Sequence, residues 1–252
     1  MVYFIGAGPG AVDLITVKGA ELLKKADVII YAGSLVNPEL LNYAKKDCKI
    51  FNSATMTLEE VIDVFVSEYM SEKIMVRLHT GDPSIYGAIK EQMDLLDENK
   101  IEYSVVPGVS SFCGAAAALN VEYTLPNVSQ TVILSRMEGR TPVPADEEIA
   151  KLASHKASMV LFLTSSLIEQ LSVKLIDGGY TADTPAAIVY KATWPDQKII
   201  KTTVSQLAES AKENNITKTA LILIGDFLSS EYDRSKLYDK TFTHEFRKAK
   251  ES

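Results

Sequence analysis

Two α/β domains are the fold class this sequence predicts, on three observations. Short apolar strands alternate with amphipathic helices from Val2 onward, the β-α-β rhythm of a parallel sheet. That rhythm breaks between Asn120 and Ser129, where periodicity is lost and Pro126-Asn127 interrupts the chain. A length of 252 residues is long for one ordinary domain and comfortable for two. The expected division is therefore 1–120 and 121–252, with sheets mainly parallel or mixed.

In the first domain, Val2-Tyr-Phe-Ile5 reads as a buried strand, followed by the turn Gly6-Ala-Gly-Pro-Gly-Ala11 and a helix from about Asp13 to Lys25. Val28–Tyr31 is the second strand. Thr57-Leu-Glu-Glu60 is a capping box, so a helix starts there and runs to about Met70. Ile74-Met-Val76 forms a third strand, which gives way to Arg77-Leu-His-Thr-Gly-Asp-Pro-Ser-Ile-Tyr-Gly-Ala88. A helix to Glu98, a strand Tyr103–Val106, the turn Pro107-Gly-Val-Ser-Ser111 and a small-residue helix from Cys113 to Leu119 complete the domain.

In the second domain, Thr131–Arg136 is a strand ending in the polar loop Met137–Pro144, and Asp146 is placed to cap a helix to Ser154. Ser158–Leu163 is a buried strand. Thr164 is expected to cap a helix through Ile176, which Gly178-Gly179 ends. Ala186–Tyr190 and Gln197–Thr202 form a hairpin whose turn carries the only tryptophan, Trp194. Thr203-Val-Ser-Gln206 reads as a second capping box for a helix to Asn214, and Thr219–Ile224 is the last clear strand. The polar tail beyond Phe227 is expected to be partly ordered.

Charge and composition exclude several function classes. A net charge of -7 argues against general nucleic-acid binding, so an anionic ligand would need a local basic cluster. Cys48 and Cys113 make neither a disulfide framework nor a metal-ligand spacing, and Cys113, in an apolar run, reads as core filling. His79, His155 and His244 are too scattered to suggest a metal. No basic leader precedes the first strand and no apolar run has membrane-spanning length, so a cytosolic protein without a membrane partner is expected.

Three strand ends in the first domain carry glycine- or proline-rich turns, at 6–11, 80–87 and 107–111. In a parallel sheet these share one edge, where small-molecule sites form. The first turn matches the dinucleotide fingerprint in form. That mechanism also needs an acidic side chain at the end of the second strand, and this strand ends in Tyr31-Ala-Gly-Ser34. The 80–87 stretch reads either as an Asp-Pro connection or as part of a binding site. Ser110 and Ser111 read as a helix N-cap, a ligand contact, or both. Arg136 and Arg140 read as a solvated charge pair or as anion ligands.

Taken together, Val2–Thr16, Arg77–Ala88, Pro107–Ser111, Ser129–Val132, Glu138–Pro142, Met159–Phe162 and Val189–Pro195 resemble the tetrapyrrole methylase superfamily. These are S-adenosylmethionine-dependent methyltransferases of two α/β domains. Within it, Tyr31–Val36 and His79–Gly87 are most similar to the precorrin-4 C-11 methyltransferases of cobalamin synthesis, with or without cobalt in the ring. The resemblance implies a cofactor in a cleft between the domains, S-adenosylhomocysteine as product, and a homodimer. By position it implies cofactor contacts at Pro9, Thr80, Gly81, Asp82, Ile85, Ser110, Ser111, Leu163 and Ala192. A ring with many carboxylates calls for cations, and Arg77, His79, Arg136, Arg140 and Lys191 are the candidates for substrate binding. Related uroporphyrinogen methylases carry an acidic residue after the second strand. Tyr31-Ala32-Gly33 stands there instead, so no catalytic base is assigned.

In-line methyl transfer from a sulfonium needs positioning in a dry cleft and neither a metal nor a protein nucleophile. Alternatives in the same superfamily are uroporphyrinogen III and precorrin-2 or precorrin-3 methyltransferases. From other classes, a nucleotide-dependent oxidoreductase and a non-catalytic tetrapyrrole carrier remain open.

Overall fold

The structure, a computed structural model, describes residues 1–70, 72–229 and 231–249. It divides into two compact units: Met1–Ala118 with Lys191–Gln197, and Leu119–Tyr190 with Lys198–Ser252. The sequence boundary near 120 lies beside the first break. The excursion of 191–197 into the first unit has no signal in the sequence pattern.

The first unit is built on a five-stranded parallel sheet of order β3-β2-β4-β1-β5. Its strands are β1 Val2–Gly6, β2 Val28–Tyr31, β3 Lys49–Asn52, β4 Met75–His79 and β5 Tyr103–Val106. β1 and β2 are buried apolar runs, as central strands of a parallel sheet are, and β4 is buried throughout although it carries Arg77 and His79. Phe4, Ile30, Phe65 and Leu96 fill one side, while Ile5, Leu23, Ile29 and Leu78 fill the other. β3 is an edge strand that the pattern does not announce, because only Ile50 and Phe51 are apolar and most of it is exposed. β4 extends three residues past the expected Val76, so Arg77 and His79 are strand residues.

The helices are α1 Val17–Lys25, α2 Leu58–Glu68, α3 Ile89–Glu98 and α4 Ser111–Leu119. α1 starts four residues later than expected: Val12–Leu14 forms a separate 3-10 turn, and the Thr16 hydroxyl accepts the Gly19 N–H as the true N-cap. Cys113 is exposed on α4 and does not fill the core.

The second unit carries a mixed sheet of order β6-β7-β10-β8-β9: β6 Val132–Arg136, β7 Ser158–Phe162, β8 Pro185–Tyr190, β9 Lys198–Thr203 and β10 Ala220–Ile224. β6 and β7 are parallel, and the other pairs are antiparallel. β6, β7 and β8 therefore point the same way. Its helices are α5 Ile149–Ala153, α6 Ile168–Asp177 and α7 Leu207–Glu213, and its core includes Leu161, Leu171, Leu175, Ile188, Leu207 and Ile222. In the tail, Lys236–Tyr238 forms a 3-10 turn and His244 pairs with Arg247.

Three expected caps do not form. Asp146 sits in a 3-10 turn and meets Lys151 at 3.0 Å, leaving Glu148 as the residue before α5. The Thr164 hydroxyl donates to the Phe162 carbonyl and accepts the Met137 N–H, so it staples two strand ends. Thr203 precedes a 3-10 turn and shares a contact with Ser205. By contrast, the Thr57 hydroxyl accepts the Glu60 N–H at 3.2 Å and Glu60 accepts the Thr57 N–H at 2.8 Å.

That contrast is measurable. Thr57→Ala should lower the unfolding free energy by about 1 kcal/mol. Thr203→Ala should stay within about 0.5 kcal/mol of the parent, both read by denaturant titration.

Candidate functional site

β4, β1 and β5 are neighbours in the sheet, so the three special turns meet at its carboxyl edge. Their backbones touch directly. The Gly81 N–H donates to the Gly8 carbonyl at 2.8 Å, the Gly8 N–H returns to Gly81 at 3.3 Å, and the Ala7 N–H donates to His79 at 2.7 Å. A Cβ on Gly6 would lie 2.5 Å from both the Gly108 Cα and the Gly81 carbonyl oxygen. Only glycine allows this approach.

Asp82 ties the edge together. One carboxylate oxygen accepts the Ser84 N–H at 2.9 Å and the Ser84 hydroxyl; the other accepts the Gly108 N–H at 2.8 Å. Burial alone would raise the Asp82 pKa, and these hydrogen bonds outweigh burial and hold it below the ordinary carboxylate value. The side chain therefore braces the 80–88 and 107–111 turns.

Five of the eleven non-glycine residues with positive φ among the described residues follow β4, β7 and β8. Tyr86 and Ala88 after β4, Leu163 after β7, and Lys191 and Thr193 after β8 all have positive φ, between 46° and 69°. Such conformations cost about 1–3 kcal/mol each and collect at ligand sites. Leu163 is 65% exposed although it follows a buried strand. Ser110 is buried and Ser111 opens α4.

Lys191–Gln197 is a braced turn in the first unit. The Trp194 indole N–H donates to the Pro9 carbonyl at 3.1 Å, and the Ala11 N–H donates to the Thr193 hydroxyl at 3.0 Å. Pro9 and Ala192 are both buried there. The Lys191 ammonium is paired with Asp196 at 2.6 Å.

In the second unit, Arg136, Leu163 and Tyr190 lie at the carboxyl ends of β6, β7 and β8, hence on one sheet edge. The Arg136 guanidinium donates to the carbonyls of Met137, Thr141 and Pro142 and so organises its own loop. Arg140 is exposed. The predicted cofactor residues thus fall at strand ends in both units. The turns around Pro9, Gly81 and Ser110 carry mostly small side chains, the kind of lining a small-molecule site uses. Among the described residues, no group of three or more His, Cys, Asp or Glu is placed to hold a metal ion.

Comparison with known proteins matches residues 1–208 to the family described as Tetrapyrrole (Corrin/Porphyrin) Methylases. The chain is 54% identical over 249 residues to the cobalt-precorrin-4 C(11)-methyltransferase of Methanocaldococcus jannaschii, spanning 98% of this chain and 96% of that protein. Among solved structures, a cobalamin biosynthetic enzyme, cobalt precorrin-4 methyltransferase, superimposes with a TM-score of 0.88 at 48% identity, covering 90% of this chain and 95% of that one. The uroporphyrin-III C-methyl transferase of Thermus thermophilus complexed with S-adenyl homocysteine shares the fold, with a TM-score of 0.73 at 21% identity over 92% and 95% of the two chains.

Arg77 and His79 are the candidates that the structure places in the interior of the first unit. Arg77 donates to Gln92 at 3.0 Å and to the Ile30 carbonyl at 3.3 Å, and Gln92 in turn donates to the Ala88 carbonyl at 2.9 Å. This relay fixes the strained residue before α3. Burial lowers the Arg77 pKa to about 10, which leaves it charged at neutral pH. His79 stacks on Phe4 with ring centroids 6.1 Å apart, and its Nε2 is buried without a hydrogen-bond partner. Burial, helped by the Arg77 charge, lowers its pKa to about 3.

Native His79 stays neutral while the unfolded chain takes up a proton below about pH 6.5. Its contribution is therefore complete above pH 6.5 and is lost as pH falls toward 3. Between pH 6 and 4, wild-type stability should fall more steeply than that of His79→Asn, by up to about 1.4 kcal/mol per pH unit. Chemical denaturation across that range measures the difference.

Proposed function

The chain belongs to the tetrapyrrole (corrin/porphyrin) methylase family, and from that premise we propose that it transfers a methyl group from S-adenosylmethionine to C-11 of cobalt-precorrin-4 in cobalamin biosynthesis. The observation that carries this reading is end-to-end identity of more than half the residues with a cobalt-precorrin-4 C(11)-methyltransferase. The solved cobalt precorrin-4 methyltransferase supports the cobalt-bearing ring as substrate, the cobalt arriving as part of it. The S-adenyl homocysteine held by a fold relative is what S-adenosylmethionine becomes after giving up its methyl, which supports the choice of methyl donor.

S-adenosylmethionine, when bound, supplies an electrophilic methyl on a sulfonium. The chain supplies position. Thr80, Gly81, Asp82 and Ile85 would hold the methionine and ribose portions, with Ser110, Ser111, Pro9, Leu163 and Ala192 completing the contacts. Exposed Leu163, held in a left-handed conformation, fits a residue kept ready for an apolar ligand surface. Rigid loops suit an in-line displacement, in which orientation accounts for much of the rate.

Recognition of the ring carboxylates narrows to Arg140. Arg77 bonds within the first unit, Arg136 serves its own loop and Lys191 is paired with Asp196. The end of β2 offers no carboxylate, and the Tyr31 carbonyl there accepts the Ser53 hydroxyl. A cytoplasmic homodimer is part of the same reading on the family's account.

The test uses methyl-labelled S-adenosylmethionine with cobalt-precorrin-4 and maps the labelled carbon by NMR. Label at C-11 is expected; label at another carbon, or none, overturns the assignment. Arg140→Ala should raise the KM for the ring about tenfold, the loss of one charge-assisted hydrogen bond, and leave the KM for S-adenosylmethionine unchanged.

A further inference from the structure

We infer that Trp194 is a positioning residue for the methyl donor: its indole latches the 191–197 turn to the glycine-rich 6–11 turn and so sets Pro9 and Ala192 in place together. This rests on the cofactor reading above.

The latch has several independent parts. The indole N–H donates to Pro9, and the Thr193 hydroxyl accepts from Ala11. A Cβ on Gly10 would land inside the indole ring, so glycine at 10 is what lets the ring seat. Behind it, the buried Asn37 amide donates to the Gly10 carbonyl at 2.9 Å. A Cβ on Gly114 would press on both Pro9, at 2.9 Å, and Thr193, at 3.3 Å.

The turn is also braced from within. The Thr193 N–H donates to the Gln197 side chain at 2.7 Å, and the Lys191 ammonium sits 5.4 Å from the centre of the indole. Lys191 and Thr193, on either side of Ala192, both have positive φ, which is costly for a β-branched residue such as Thr193. A turn strained in this way holds its shape only while its anchors hold it. Trp194 belongs to none of the three hydrophobic cores, so its removal loosens the turn without emptying a core.

Trp194 is the only tryptophan in the chain, so its emission reports on the latch alone. S-adenosylhomocysteine titrated into the wild type should shift or quench that emission, with a midpoint matching the dissociation constant from calorimetry. W194F, which keeps a ring but loses the N–H, should weaken S-adenosylhomocysteine binding about fivefold, the worth of one hydrogen bond. W194A and G10A should weaken it more. In all three the KM for S-adenosylmethionine should rise while kcat stays within about twofold, because the latch positions the donor and touches no reacting atom. Unchanged emission at saturating S-adenosylhomocysteine, or wild-type affinity in W194F, overturns the latch. A wild type that binds no S-adenosylhomocysteine by calorimetry overturns the cofactor reading instead. The emission measurement needs no variant and stands even where a substitution prevents folding.

Discussion

The close approach of three backbones at the carboxyl edge of the first sheet is the constraint on which the rest of the site depends. Gly6 and Gly108, at the ends of β1 and β5, have no space for a side chain against each other and the Gly81 carbonyl, while Gly81 itself is held at positive φ. The paired hydrogen bonds between Gly8 and Gly81 and the Asp82 carboxylate on Gly108 then fix the geometry. These contacts replace interactions with water by directed bonds among short loops, so the edge is rigid without a packed core behind every residue. Rigidity of this kind is what a positioning catalyst needs, since a small misplacement of reacting groups costs far more rate than one lost contact.

Much of the fold was legible because the strands that matter most are the most apolar. Val2–Ile5, Val28–Tyr31 and Ser158–Phe162 are continuous buried runs, and such runs declare themselves in a sequence. β3 did not, because an edge strand with one partner needs little hydrophobicity. The caps divide on physical grounds. Thr57 and Glu60 meet because an α-helix begins at once behind Thr57. At Thr203 and Thr164 a 3-10 turn comes first, and its tighter winding moves the expected N–H out of reach. A four-residue motif carries no record of which helix type follows it.

The meeting of the three turns on one edge was legible, and the surroundings of the charged candidates were less so. Strand-end turns rich in glycine marked the edge correctly, because close backbone approach and ligand access make the same demand on side-chain size. The charged residues are a different case. Arg77 looked available because the strand was expected to stop at Val76; with the strand three residues longer it lies inside the unit, bonded to Gln92. Whether an arginine faces a ligand or a carbonyl of its own loop, as Arg136 does, depends on long-range packing that a single sequence does not encode. The placing of Trp194 against Gly10 is equally non-local, since the two are brought together only by the excursion of a hairpin turn into the first unit.

The glycine-rich turn at 6–11 shows why a motif must be read with its partners. In a dinucleotide site its glycines make way for a pyrophosphate. Here the same freedom is taken up by protein: Gly6 by the backbone at 108, Gly8 by the carbonyl of Leu14 and Gly10 by an indole. The missing acidic residue at the end of β2 and the occupied glycine contacts are two views of one fact. The first turn packs against protein, and the turns at 80–85 and 110–111 follow the strands immediately on either side of it. Asp82 and Lys191 have their charges turned to internal partners.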